Sequence, residues 1–176
     1  MQPSYHAILA VPFDRKTAPA FSALPPSLAV AWPKLGVSMQ GAALSSLDFV
    51  SPELDDLPAV NTHAADVVRQ LTAYFSDPDY RFTIPLVCVG TPFQQRVWRL
   101  LCEIPRGQPQ RYGDLAKRLA SGPRAVGGAC RANPVPIVVP CHRVVSSTGL
   151  GGYSGVTTGF SPELAIKRWL LDHERG

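Results

Sequence analysis

RYGDLAKRLASGPRAVGGACRANP, residues 111–134, decides how the second half of this chain folds. Leu115, Ala116 and Leu119 recur at helical spacing, and Ser121-Gly122-Pro123 breaks the run. A second helix is predicted from about Arg124 until Asn133 and Pro134 end it. Helix, tight turn, helix is the helix-turn-helix outline, which by itself says little because most helical hairpins touch no nucleic acid. The composition of the second helix says more. Gly127 and Gly128 fall in its middle, where each costs about 1 kcal/mol relative to alanine. Its other residues are Ala125, Val126, Ala129 and Cys130, flanked by Arg124 and Arg131. A helix reading base edges in a major groove projects long hydrogen-bonding side chains, and this one is nearly bare. Two readings stay open: a small-residue helix packed tightly on a neighbour, or one whose backbone approaches a minor groove and reads shape with little sequence discrimination.

Upstream, GTPFQQRVWRLLCEIPRG (90–107) opens a helix with its own start signals. Thr91 can cap, Pro92 suits the first turn and Gln94 completes a capping box, after which Phe93, Val97, Leu100, Leu101 and Ile104 make one apolar stripe. Nearer the N-terminus, YHAILAV and LGVSMQGAALSSLDFV read as strands, the second broken at Gly41 as a hairpin or bulge would be. THAADVVRQLTAYF carries apolar residues at helical spacing, and SDPDYRFTIPLVCVG reads as a turn-rich connector. The fold class is therefore α+β. Residues 1–84 form a small sheet with a packed helix and connector, and residues 85–176 form a mainly helical unit.

Composition sets the outer limits. With 45% hydrophobic and 17% charged residues, and no window of some 18 apolar residues, the chain reads as a globular protein that does not cross a bilayer. The N-terminal residues carry no secretory pattern, so the expected location is cytoplasmic. Cys88, Cys102, Cys130 and Cys141 lack paired spacing and read as free thiols. Neither they nor His6 and His63 describe a zinc site, and no cofactor is expected. The net charge of +4 hides an asymmetry: residues 1–80 balance to −4 and residues 81–176 to +8. So basic a segment fits a polyanion-binding surface or simply a solvated face, and charge alone does not choose.

PIVVPCHRVV (136–145) sets a nucleophile beside a base. The β-branched run before Pro140 predicts a buried strand with Cys141 at its end. A lone buried cysteine is usually a small hydrophobe, but an imidazole nearby can take the thiol proton and leave a thiolate. In extended chain Cys141 and His142 would face opposite ways, so their cooperation needs a turn or a bridging water. The last helix, started by Ser161-Pro162, places Ile166, Trp169, Leu170 and His173 inward and Glu174 at the edge of that stripe. There a carboxylate opposes the helix dipole unless a cation or imidazole holds it. TGLGGYSGVTTG (148–159) lacks the lysine of a phosphate loop and reads as a loop placing Tyr153 and Ser154 over a cavity.

PCHRV, preceded by RANPVPIVV, followed by GYSG, with RAVGG upstream and WLLDHE downstream, closely resembles the O6-alkylguanine-DNA alkyltransferases, from about Gly90 to Glu174. The resemblance implies a ribonuclease-H-like N-terminal domain and a C-terminal helix-turn-helix DNA-binding domain. It also implies a single-turnover, irreversible transfer of the alkyl group from O6 of a flipped guanine in duplex DNA to Cys141. It implies His142 as the base working through a water and Glu174 as the carboxylate orienting the imidazole. Tyr112 would displace the target phosphate and donate toward guanine N3. Arg124 would fill the gap left by the extruded base, within a minor-groove surface that includes Ala125, Gly127, Gly128 and Arg131. Asn133 is the implied hinge; Pro136, Tyr153 and Ser154 border the pocket, and the Val144 carbonyl faces the amino group of the base. A monomer binding duplex DNA without metal or membrane is expected. Repair of O4-alkylthymine and cooperation along DNA are left open. The loop before Arg124 is shorter than in many members of that family, and the paired zinc ligands of some members have no counterpart.

Overall fold

In the computed structural model, residues 4–11, 33–156 and 161–175 are described. Residues 1–3 and 12–32 of the proline-rich first third and the end of the glycine-rich loop (157–159) lie outside the described residues. Strands β1 (Ala7–Leu9), β2 (Lys34–Gln40) and β3 (Ala43–Val50) form an antiparallel sheet in that order. The predicted break at Gly41 is a tight hairpin turn, with Gln40 opposite Ala43 and Gly41 at φ 62°, a conformation only glycine adopts without strain. The register shifts between Ser38 and Met39: Ser38 pairs with Ser46 and Met39 with Leu44. Ser45 is thus the extra residue of a bulge, which lets Leu44 and Leu47 both point into the core although they are three apart.

Helix α1 (Thr62–Ser76) is capped by the Asn61 side chain, which accepts from the Ala64 N–H at 2.9 Å. It lays Ala64, Val67, Leu71 and Tyr74 against the sheet residues Leu35, Val37, Leu44 and Leu47. Each such buried aliphatic side chain contributes about 1.5–3 kcal/mol relative to exposure. The connector runs beside β3, the Leu44 N–H donating to Pro85 and the Val87 N–H to Leu44.

Helix α2 (Pro92–Cys102) starts with the expected capping box: Thr91 Oγ1 accepts from the Gln94 N–H at 3.3 Å, and Gln94 Oε1 accepts from the Thr91 N–H at 2.8 Å. Val97, Leu100, Leu101 and Ile104 are buried as the stripe predicts. A short strand β4 (Gln110–Arg111) leads into α3 (Tyr112–Arg118), and after a tight turn α4 (Pro123–Arg131) follows. Trp98 of α2 donates from Nε1 to the Ala129 carbonyl at 2.8 Å and fixes α4 in place.

The predicted strand before Cys141 does not form. Residues 134–139 make bends and turns, with the Val139 N–H donating to Val135 and Ile137 at φ 74°. Pro134, Pro136 and Pro140 have no N–H to give a ladder, and a β-branched residue in the left-handed region is strained backbone that its surroundings must hold. The chain then enters a 3-10 turn (Cys141–Arg143) and β5 (Val144–Val145), which pairs in parallel with β4, Gln110 opposite Val144. Helix α5 (Pro162–His173), capped by Ser161, closes the fold. The result mixes helices with a small antiparallel sheet. Among the described residues no helix is long and apolar enough to cross a membrane.

Candidate active site

Cys141 opens the 3-10 turn, its N–H donating to Val139 at 2.8 Å and the Arg143 N–H to Pro140 at 3.0 Å. With about three residues per turn, neighbouring side chains no longer oppose each other as they would in a strand, which supplies the turn that Cys141 and His142 require. Cys141 is 6% exposed. Burial pushes its proton affinity up from 9.0, while hydrogen bonding from Asn133 and the charge of Lys167 act the other way. Such a thiol needs a base beside it to become a nucleophile.

His142 follows Cys141 in the turn. Its Nε2 lies 2.9 Å from Oε1 of Glu174, and both side chains are fully buried. Burial alone would raise Glu174, but hydrogen bonds and charge from His142 and Arg143 outweigh it and hold the carboxyl down at about 2. Burial lowers His142 below 6.5 against the pull of Glu174. An ionised carboxylate only accepts, so Nε2 carries the imidazole proton. The lone pair of the neutral ring is then at Nδ1, a buried atom with no hydrogen-bond partner among the described residues. A proton acceptor is left free on the residue that follows Cys141.

Glu174 is no frayed end. Arg143 grips it with two bonds, Nε to Oε2 at 2.8 Å and Nη2 to Oε1 at 2.7 Å, and Tyr74 donates to Oε1 at 2.9 Å. Arg143 also donates from Nη1 to the Ile104 carbonyl at 2.7 Å. The dipole penalty for an acid in the last turn is offset by these three partners.

Cys141 lies in the wall of a cleft of about 710 Å³. Among the residues lining it are Tyr112, Arg124, Gly127, Gly128, Arg131, Tyr153 and Ser154. The packed-helix reading of the two glycines is overturned: a Cβ added at either would meet nothing within 4 Å, so they keep the cleft wall low. Val126, Ala129 and Cys130 carry the packing of α4 instead. Arg124 and Arg131 are exposed, as is Ala125, which does not line the cleft. Tyr112 donates to the Gly152 carbonyl at 3.2 Å, and burial raises its hydroxyl well above 10. Tyr153 is buried, its ring edge-on to Phe49.

Three residues assigned to the pocket or hinge do not line the cleft: Asn133, Pro136 and Val144. Asn133 braces the strained turn, donating from Nδ2 to Val139 at 2.7 Å and accepting from the Val135 N–H at 3.1 Å. Pro136 belongs to that turn. The Val144 carbonyl accepts from Lys167 Nζ at 2.6 Å.

Lys167, Arg143 and Tyr74 escaped the sequence reading. Lys167 is fully buried, bonded to the carbonyls of Val144 and Gly152, and 5.6 Å from the centre of the Tyr112 ring. Burial brings it down to about 8. A signal existed: Lys167, Leu170 and Glu174 fall at i, i+3 and i+7 on one helical face. Arg143 stands in the quoted motif, two residues after the thiol, whereas Tyr74 reads as ordinary core.

A buried thiol, a neutral imidazole and a clamped carboxylate beside an arginine-bordered cleft are the groups that a cysteine nucleophile requires. Residues 92–176 match the family described as the DNA-binding domain of 6-O-methylguanine DNA methyltransferase. A methylated-DNA–protein-cysteine methyltransferase of Methanosarcina mazei is 45% identical over 111 residues, covering 62% of this chain and 66% of that protein. The Mycobacterium leprae protein of that name is 42% identical over 123 residues, covering 65% and 74%. The solved O6-methylguanine methyltransferase of Mycobacterium tuberculosis superposes with a TM-score of 0.67 at 33% identity, over 81% of this chain and 87% of that one. The same organism's OGT in complex with DNA gives 0.64 at 36%, over 81% and 86%. The chain belongs to the methylated-DNA–protein-cysteine methyltransferase family. It spans just under two-thirds of the length of the Methanosarcina relative.

Proposed function

We propose that this protein repairs DNA by moving the alkyl group from O6 of a flipped guanine in duplex DNA onto Cys141. The observation that carries this is the arrangement of one cleft: the nucleophilic thiol in its wall, Arg124 and Arg131 at its edge, and Gly127 and Gly128 leaving it open. A volume of about 710 Å³ is in the range of small-molecule sites and open enough to admit a base from outside.

The chemistry follows from the protonation states. His142 Nδ1 takes the Cys141 proton, directly or through a water, and Glu174 holds the imidazolium that forms. The thiolate attacks the alkyl carbon, the carbon–O6 bond breaks, and the electron pair leaves with guanine. Tyr112 donates toward N3 of that leaving group, and its high proton affinity keeps it a donor throughout. The sulfur ends as a thioether, so each chain acts once.

In this reading α3 and α4 act as a helix-turn-helix on the minor groove. Arg124 enters the stack in place of the extruded base, recovering part of an unstacking cost of a few kcal/mol. Ala125 and Gly128 allow close approach to the backbone, and Asn133 is the hinge between α4 and the Cys141 turn. The chain acts as a monomer. Residues 1–84 form the ribonuclease-H-like domain and residues 85–176 the DNA-binding and acceptor domain. The binding of DNA by a similar protein of Mycobacterium tuberculosis supports the partner.

The test is duplex DNA carrying O6-[methyl-3H]methylguanine. About one methyl per chain, mapped to Cys141 and lost in Cys141→Ser, is the expected result. Binding without transfer would leave a lesion-recognising protein and overturn the proposal.

A further inference from the structure

Tyr74 belongs to α1, outside the 92–176 stretch that matches the family's DNA-binding domain, yet it touches Glu174. Its hydroxyl donates to Glu174 Oε1 at 2.9 Å, across 100 residues of sequence. The same oxygen accepts from His142 Nε2 at 2.9 Å and Arg143 Nη2 at 2.7 Å, whereas Oε2 accepts from Arg143 Nε at 2.8 Å. Three donors therefore compete for the oxygen that orients the base.

The ring is held for this contact. It is 1% exposed, with centroids of Phe75, Phe82 and His173 at 5.5, 5.3 and 5.3 Å. His173, the neighbour of Glu174, hydrogen-bonds the Tyr74 carbonyl at 2.9 Å, so α1 and the end of α5 are tied twice. Packing alone would be served by phenylalanine, as at the adjacent Phe75. A buried hydroxyl costs stability unless it is bonded, and here the bond goes to a charged acceptor.

We propose that Tyr74 is a positioning residue for the acceptor reaction, its hydroxyl sharing Glu174 Oε1 with His142 and so making the N-terminal sheet-and-helix unit part of the site. This rests on the alkyl-transfer reading only for the identity of the natural electrophile. Tyr74 moderates how strongly Glu174 draws a proton onto the imidazole. Burial and the charge of Glu174 keep the phenol far above 10, so it donates at every working pH. Among the described residues the other charged or titratable groups around the pair are Arg143 and Cys141 in the 3-10 turn, Tyr153 in the loop after β5, Lys167 and His173 on α5, and Arg106. Arg106 Nη1 donates to the Glu174 main-chain carbonyl at 3.1 Å, and its side chain pairs with Asp79. None of the others shares Oε1 with the imidazole except Arg143.

Removing the hydroxyl leaves more of the carboxylate charge for His142, which then protonates at higher pH. In Tyr74→Phe the acid limb of the rate of Cys141 alkylation should move up by about half a pH unit or more. The rate is read in two ways on the full chain: single-turnover transfer from O6-methylguanine duplex, and methylation of Cys141 by iodomethane mapped by mass spectrometry. Site-specific 3-fluorotyrosine at position 74 keeps the packing and donates more strongly, so its limb should move down. His173→Gln, which loosens the same tether without reaching the carboxylate, should leave the limb in place. Limbs unmoved in both Tyr74 variants, or moved equally by His173→Gln, would overturn the role. A shift seen with iodomethane but no transfer from DNA would overturn the proposed function and leave the role of Tyr74 standing.

Discussion

Replacing Glu174 by glutamine removes the buried charge that His142, Arg143 and Tyr74 hold, and the structure sets the size of the effect. The carboxyl falls from an ordinary 4.5 to about 2, because bonds from His142 and Arg143 outweigh the opposing effect of burial. At about 1.4 kcal/mol per pH unit, that displacement corresponds to about 3 kcal/mol of folded-state stability. A depressed carboxylate contributes this in full above the unfolded value near 4.5 and loses it as the pH falls through the folded value near 2. Breaking a buried ion pair from one side costs about 3–5 kcal/mol, and the Arg143 side chain left behind is 17% exposed, which favours the lower end. Glu174→Gln should therefore lose about 3 kcal/mol at neutral pH in denaturant unfolding. Between pH 4.5 and 2 its stability should fall less steeply than that of the parent, because the group that titrates there is gone. A loss below about 1 kcal/mol, or an unchanged slope over that interval, would refute the assignment of Glu174 as the clamped anion of the site.

Arg124→Ala should slow repair of alkylated duplex much more than reaction with free O6-benzylguanine, since only the duplex demands extrusion. Equal losses in the two assays would contradict the intercalating role. Gly127→Ala should raise the melting temperature, because alanine is favoured by about 1 kcal/mol in a helix and the new methyl meets nothing within 4 Å. Its affinity for duplex should fall, by gel shift at fixed salt, if that face meets the backbone. A variant that binds duplex as tightly as the parent would remove α4 from the interface.

The division between sequence and fold shows in particular residues. The capping box at Thr91–Gln94, the Gly41 hairpin and the α4 boundaries were legible because each depends on neighbours within a few positions. The run Ile137-Val138-Val139 was misread as a strand because β-branching is a local preference, and the flanking prolines and the contacts of Asn133 override it. The alternatives for Gly127 and Gly128 could not be settled from α4 alone, since whether a bare helix faces a neighbour or an open cleft depends on what packs opposite.

By itself the sequence determined the main helices and the N-terminal hairpin, the thiol–imidazole pair and, through its motifs, the family resemblance. Only the tertiary structure decided which nitrogen of His142 is free, that Arg143 and Tyr74 clamp Glu174, and that Lys167 is buried between two carbonyls. The reason is physical: helix caps and turns are set by hydrogen bonds between near neighbours. The protonation state of a buried group is set by desolvation and by charges that arrive from segments as far as 100 residues away.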